Sequence, residues 1–228
     1  MAKRRIFDEL MEGVAAMKCH REGKVALRGW KTTSRSCERA PVSACGKGPL
    51  NTRGNLSAIV RSYTVFNRPR ARDELRYFET MPSLAHAIES AALAKGPCGK
   101  RLDHQRRLTG TALNRSNALL LGAARKIAQC RSFDKLHTLV LDTVGAIDGI
   151  GELYIYDTSL RIGAYLNIFP KRVYLHAGTR QGAKALGIAG PRASASVDEL
   201  PPELRELEPH EIEDVLCIYK AQLLEFNG

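Results

Sequence analysis

The chain has 228 residues, enough for one good hydrophobic core and a small appendage. Apolar residues make up 44% and aromatic residues 6%, which favours a helical globular protein over a β-sandwich. No apolar run approaches the roughly 20 residues of a membrane span, and Asp8, Glu9 and Glu12 interrupt the start, so we expect no secretory signal. Six scattered cysteines without framework spacing lead us to expect a cytoplasmic protein.

The charge is unevenly distributed along the chain. The formal net charge is +11. Residues 1–192 carry 33 Lys and Arg against 15 Asp and Glu, whereas residues 193–228 carry 2 against 9. The basic part favours a polyanionic partner, above all a nucleic acid. We expect the acidic segment to form a solvated helix face that packs away from any polyanion, because carboxylates repel phosphates.

An amphipathic helix is predicted over residues 5–22. Its apolar residues recur at helical spacing, and a glycine stands just after its end: Ile6, Phe7, Leu10, Val14, Met17 and Gly23. Residues 1–28 resemble the start of HigA-type antitoxins and related helix-turn-helix regulators. This resemblance implies a protein partner for the helix. No helix-turn-helix is predicted downstream, so the DNA-reading element of that family is not carried over.

A linker is predicted over residues 29–55. The segment is polar and basic and has no hydrophobic periodicity, which is typical of disordered chain. We therefore divide the sequence into an N-terminal helix (1–28), a disordered basic linker (29–55) and a helical domain (56–228).

The predicted elements of residues 56–228 are helical, and strand signals are weak. We predict helices over 80–94 with Thr80 as N-cap, 111–129, 133–146 with Ser132 as N-cap, 152–166, 179–186 ending at Gly187, and from Pro209 through Leu223. The predicted fold class is therefore all-α.

The most informative segment is Ile147-Asp148-Gly149-Ile150-Gly151, between two predicted helices. Two glycines that flank one aliphatic residue allow the chain to reverse and leave backbone N–H groups pointing outward. The positive end of the next helix reinforces them, and such a place binds one phosphate. In a basic protein we expect that phosphate to belong to a nucleic acid. The alternative interpretation is a plain tight connection between helices.

Residues 146–151 and the helix after them resemble the helix-hairpin-helix motif of the HhH-GPD DNA glycosylase superfamily. Residues 170–176, followed by a helix that ends in Leu186-Gly187-Ile188, are similar to the segment that follows that hairpin. The resemblance covers residues 81–188 and implies a helical DNA-binding domain. It does not carry over the chemistry, because Tyr174 stands where the family has its catalytic aspartate, and residues 152–156 lack the lysine of the bifunctional members.

The predicted DNA contacts are the turn and a basic patch close to it in sequence: Gly149, Ile150, Gly151, Lys171, Arg172, Arg180 and Lys184. Residues 104–107 form a second basic stretch, which we expect at the surface. We expect His176 to be a hydrogen-bonded structural histidine. The spacing of Asp157 and Arg161 predicts an ion pair on the helix surface. The alternative for this pair is a polar cluster beside the bound DNA backbone.

We expect no bound metal and no cofactor. There is no Cys-x-x-Cys pair, and the residues around His210 lack the second histidine of a zincin helix. The predicted function is sequence-independent DNA binding without catalysis. Two alternatives stay open: a divergent DNA glycosylase or lyase whose base is another residue, and an antitoxin-like protein-interaction module.

Overall fold

The computed structural model describes residues 55–188, 190 and 192–225. The predicted N-terminal helix and all but the last residue of the predicted linker lie outside the described residues. The described part is all-α, as predicted: helices carry its cores, and the one sheet within these ranges has two short strands. Among these helices, none combines the length and the apolar character needed to span a membrane.

The described chain begins with a long helix that contains an irregular segment. Helix α1 (Leu56–Ser62) continues through a π-helical segment (Tyr63–Asn67) into α2 (Arg68–Glu79). Asn55 caps α1, since its side chain accepts a hydrogen bond from the backbone N–H of Ala58 at 3.0 Å. Pro69 lies two residues after the last residue of the π segment. Proline has no N–H and clashes with the carbonyl four residues earlier, and a wider turn relieves that clash.

Five further helices complete the first half of the described chain: α3 (Leu84–Ala92), α4 (Gly110–Gly122), α5 (Ala124–Ala128), α6 (Phe133–Val144) and α7 (Glu152–Leu166). The predicted cap Ser132 is confirmed, because its side chain accepts from the N–H of Lys135. The helix predicted over 111–129 is broken at Ala123 into α4 and α5.

The predicted start of α3 at Thr80 is wrong. Thr80 ends α2 instead, and both its N–H and its hydroxyl donate to the carbonyl of Arg76. Ser83 has the extended conformation of an N-cap and accepts a hydrogen bond from the N–H of His86. Both residues are good cap types, but Met81 precedes Pro82, and a proline disfavours the helical conformation of the residue before it, so a helix does not begin after Thr80.

The second half contains β1 (Val173–Tyr174), α8 (Ala177–Ala185), β2 (Ser194–Ala195), α9 (Pro209–Ile218) and α10 (Lys220–Leu224). The strands pair antiparallel, with Val173 opposite Ala195. Two-residue strands are too short for a periodicity signal, so the sequence did not predict them. The predicted helix start at Pro209 is confirmed, but Tyr219 separates α9 from α10.

Two apolar cores hold the described chain together. The first lies among α2 to α7, and its largest fully buried side chains are Phe78, Leu84, Ile88, Leu113, Leu120, Ile127, Leu136 and Ile162. The second packs α1 against β1, α8, α9 and α10 through residues such as Ile59, Tyr63, Val173, Leu204, Leu216 and Leu223. Each such side chain contributes about 1.5–3 kcal/mol when it is fully buried. The start of the described chain is therefore packed onto its end.

The expected solvated acidic face is wrong for α9. Glu211 and Glu213 are 1% and 5% exposed. Arg68 donates from Nε to Glu211 Oε1 at 2.7 Å and from Nη2 to Oε2 at 2.5 Å. Helix α2 thus supplies a partner for a carboxylate 143 residues away, and a paired carboxylate can be buried where a free one would stay in water.

Candidate functional site

The turn between α6 and α7 lies where the sequence predicted a chain reversal. Gly145 donates its N–H to the carbonyl of Leu141 at 2.8 Å, and Ile150 donates to that of Ile147 at 3.0 Å. Gly149 has φ +82°, which favours glycine. Ile147 is buried and Ile150 packs partly buried against the first core. The two isoleucines therefore anchor the turn while its glycines remain outside.

The outer side of this turn is open. Gly149 and Gly151 are exposed, and a Cβ added at either would meet no atom within 4 Å. Gly151 is the N-cap of α7 and, as glycine, offers no capping side chain. The first N–H groups of an α-helix have no intrahelical acceptor, and they lie at the positive end of the helix dipole. The N-terminus of α7 thus offers space and donors for an anion.

Two charged side chains meet beside this turn. Glu152 is the first residue of α7, and its carboxylate forms an ion pair with Nη2 of Arg180 from α8. Arg180 Nη1 also donates to the carbonyl of Leu175 at 2.5 Å. Among the predicted basic contacts, Arg180 therefore lies at the α7 N-terminus, where it pairs with Glu152.

The other predicted basic contacts are exposed. Lys171 and Arg172 precede β1, and Arg172 Nη1 donates to Ser194 Oγ on β2 at 3.4 Å. Lys184 lies in the last turn of α8, and Gly187 follows with φ +81° at the predicted helix end. These three cations are on the same half of the chain as Arg180, and the structure shows no direct contact between them and the turn.

A buried polar network lies on the inner side of α7. Arg161 is 4% exposed, its Nη2 lies 3.4 Å from Asp157 Oδ2, and its Nε donates to Glu74 Oε1 at 2.9 Å. Gln105 Nε2 donates to Asp157, and His104 Nδ1 lies 3.6 Å from the same carboxylate. Burial raises the pKa of the Asp157 carboxyl, but Arg161, His104 and Gln105 together hold that pKa below its usual value.

This network corrects two predictions. The i, i+4 pair of Asp157 and Arg161 exists, but its expected place on the helix surface is wrong, because α2 and the turn around Gln105 cover it. The stretch 104–107 is also not wholly at the surface, since Gln105 is 1% exposed. Hydrogen bonds to Asp157 give the Gln105 amide a partner, which makes its burial tolerable.

Two further acids approach the network from α9. Burial raises the pKa of the Glu213 carboxyl well above its ordinary value, and the nearby charge of Asp157 adds to the shift. Burial also raises the pKa of the Asp214 carboxyl, with a further contribution from Glu213, although Tyr63 Oη donates to Asp214 Oδ2 at 2.8 Å. Burial therefore opposes the charged form of both side chains.

His176 connects α8 to this acidic region. It is the N-cap of α8, where its Nδ1 accepts from the N–H of Gly178 at 3.3 Å, and its Nε2 lies 2.5 Å from Glu213 Oε1. The prediction of a hydrogen-bonded histidine is confirmed. Cys217 lies one turn after Glu213, and burial raises the pKa of its thiol to about 12. One ligand-type atom from each of these three residues lies within 4.8 Å of the others.

Sequence reasoning missed this three-residue group. The Cys-x-x-Cys and zincin spacings do not describe it, because His176, the N-cap of α8, and Glu213 on α9 are 37 positions apart. The Glu-x-x-x-Cys spacing on α9 is the one local signal, and it is not distinctive.

Tyr174, which the predicted resemblance sets at the position of the glycosylase aspartate, is the last residue of β1. Its Oη donates to Asp134 Oδ1 at 2.5 Å. Burial and the hydrogen bond with Asp134 raise the pKa of the Tyr174 phenol above its ordinary value, so the phenol stays protonated at neutral pH. The turn before α7, its neighbouring charges and the buried network are the features that bear on function. Comparisons with protein-family models, with curated proteins and with solved structures find no match to this chain.

Proposed function

We propose that the protein binds DNA through the phosphate backbone, independently of base sequence. The single observation that carries the proposal is the pair of exposed glycines, Gly149 and Gly151, in open space at the N-terminus of a 15-residue helix. Backbone N–H groups at such a place bind phosphate. Contacts of this kind position a duplex and read no bases.

The charge around the turn supports this proposal. A free carboxylate at the α7 N-terminus would repel a phosphate, and Glu152 there is paired with Arg180. The exposed Asp148 in the turn opposes phosphate binding. The exposed Lys171, Arg172 and Lys184 supply further cations for backbone contacts. The formal net charge of +11 favours approach of any polyanion.

The buried acids favour binding without catalysis. Asp157 is held by Arg161, Gln105 and His104 inside the protein, where it stabilises the packing of α7. A carboxylate that assists base excision must reach the sugar of a nucleotide. We therefore assign the Asp157 network to the architecture of the domain.

The replacement Gly151→Val tests the proposal. The backbone of Gly151 is extended, with φ −113° and ψ 175°, so a larger residue fits without strain and a Cβ meets no atom. Gly149, with φ +82°, would be strained by any side chain and is the poorer choice. We expect Gly151→Val to weaken affinity for duplex DNA by about tenfold or more, because the valine occupies the space of the phosphate.

A matched control is Gly110→Val at the start of α4, where an added Cβ also meets no atom within 4 Å. Both variants and the parent are titrated with duplex, single-stranded and lesion-containing DNA over a range of salt concentrations. The parent should show a steep loss of affinity with salt. A folded Gly151→Val protein with unchanged affinity, or the same loss in Gly110→Val, would exclude the turn as the phosphate site.

A further inference from the structure

We propose that His176, Glu213 and Cys217 together bind one divalent transition-metal ion of the zinc type. The site consists of His176, which directly precedes α8, and of Glu213 and Cys217 on one face of α9. It is separate from the turn before α7, and the proposal stands whether or not the protein binds DNA.

The fold holds the three side chains close together before any ion arrives. Glu213 and Cys217 are four residues apart on α9 and therefore share a face. Helix α8 crosses close to α9, because Gly182 has no side chain: a Cβ there would lie 2.2 Å from the carbonyl oxygen of Leu216. This close approach brings His176, at the N-terminus of α8, onto the same face of α9.

The three ligand-type atoms are close together, and two of them now share a direct hydrogen bond. His176 Nε2 lies 2.5 Å from Glu213 Oε1, and the three ligand-type atoms lie within 4.8 Å of one another. A Cβ at Gly178 would lie 3.1 Å from Cys217 Sγ and 3.6 Å from His176 Nδ1, so the thiol and the imidazole border the same small space. A bound ion replaces the proton shared by His176 and Glu213, and the two side chains must move apart so that zinc lies about 2.0–2.2 Å from nitrogen and oxygen and about 2.3 Å from sulfur.

The donor atoms select the kind of ion. One thiolate sulfur, one imidazole nitrogen and one carboxylate oxygen suit zinc and its neighbours in the first transition row. Magnesium and calcium prefer oxygen ligands throughout and do not fit a site with a thiol. His176 and Glu213 are each 5% exposed, so water competes little for the ligand positions.

A second observation concerns Tyr156, whose ring neighbours that of His176. Tyr156 is 2% exposed, and its hydroxyl has no hydrogen-bond partner in the described part of the chain. Its ring centroid lies 6.3 Å from that of His176. Burial raises the pKa of the Tyr156 hydroxyl, and among the carboxylates the charge of Glu213 contributes most to that shift. A buried hydroxyl rarely goes without a partner. A water molecule on the fourth position of the ion would supply one.

The test uses the full-length protein, freed of metal with a chelator and then titrated with zinc alone or with cobalt(II) alone. We expect one metal ion to bind tightly per protein chain. Cys217→Ser and the near-isosteric Glu213→Gln should each lower the affinity for the metal ion by about tenfold or more. Cobalt(II) on the parent protein should show a sulfur-to-cobalt charge-transfer band, which Cys217→Ser abolishes.

The matched control is Cys130→Ser, which alters the other free thiol of the described residues and should keep both the affinity and the band. Far-UV circular dichroism checks that each variant is folded, and Glu213→Gln decides the question if Cys217→Ser does not fold. The proposal is overturned if the parent protein binds no metal ion tightly. It is also overturned by tight binding that survives in a folded Cys217→Ser or Glu213→Gln protein, because the ion then sits elsewhere.

Discussion

Arg180 on α8 forms an ion pair with Glu152, the first residue of α7, and its other guanidinium nitrogen donates to the carbonyl of Leu175 at 2.5 Å. The pair links the proposed phosphate site to the half of the chain that carries the other exposed cations. Both side chains are partly exposed, so the pair itself contributes little to stability. Its consequence is electrostatic: it sets the charge that a phosphate meets at the α7 N-terminus.

Replacing the two members of this pair should change the affinity for DNA in opposite directions. Glu152→Gln removes a negative charge beside the phosphate site and should strengthen DNA binding by about three- to tenfold at low salt, whereas Arg180→Gln should weaken it by a similar factor. Salt-titrated binding to one duplex measures both. Glu199→Gln is the control, because Glu199 pairs with Arg192 in another exposed Arg–Glu ion pair. Equal effects of Glu152→Gln and Glu199→Gln would mean that only net charge matters.

A second prediction concerns the buried carboxylate of Glu211. Arg68→Met removes two of the three guanidinium contacts that this carboxylate receives, and the 3.2 Å contact from Arg72 remains. We expect the free energy of unfolding to fall by about 3 kcal/mol. The Glu211 side chain is 2% exposed, and without Arg68 its buried negative charge loses most of the positive charge that stabilises it. Urea denaturation measures the change.

The control for that measurement is Arg76→Met. Arg76 lies 3.8 Å from Asp73 in an exposed i, i+3 pair on the same helix. Its loss should change the free energy of unfolding by less than about 0.5 kcal/mol. Similar losses in the two variants would show that Glu211 is not stabilised by Arg68 in solution.

A third prediction concerns pH. Contact with the Asp157 carboxylate raises the pKa of His104 from 6.5 to about 9, while burial and the charge of Arg161 oppose the shift and the charge of Glu213 favours it. A raised pKa means that the charged histidine stabilises the folded state below pH 6.5, and that this contribution is lost as pH rises through about 9.

The melting temperatures of the parent and of His104→Gln test this effect across that range. The parent should have the higher melting temperature at the acidic end, and the difference should vanish above pH 9. The difference in melting temperature will be modest, because the His104 side chain is 52% exposed. A difference that grows with rising pH would contradict the assigned pair.

The fourth prediction is that the purified protein does not excise damaged bases. Excision needs a carboxylate near the sugar or an amine nucleophile, and the matching position holds Tyr174, whose phenol stays protonated. Gel assays on duplexes with single lesions measure release. Turnover that is abolished by Asp134→Asn would show that the acid beside Tyr174 serves as the base, and turnover abolished by Asp157→Asn would assign it to the buried network.

Local features of the fold were predictable wherever they depend on neighbouring residues. Ser132 was identified as a cap, Gly187 as the residue after a helix end, and Pro209 as a helix start, since each acts within one helical turn. The prediction failed at Thr80, where Ser83 stands three residues later and offers the same chemistry. Pro82 lies between the two caps and disfavours a helix that begins at Met81, a local signal that the prediction did not use.

The sequence by itself determined the all-α class, most helix positions and the glycine turn before α7, because helical periodicity, capping and positive φ depend on residues close together in the chain. Tertiary structure alone decided which charged side chains are buried and with whom. Glu211 is buried because α2 brings Arg68 to it, and Gln105 is buried because α7 brings Asp157. His176, Glu213 and Cys217 meet only when α8 packs on α9. Burying a charge or a polar group requires a partner, and those partners lie tens of residues or more away, where no local pattern records them.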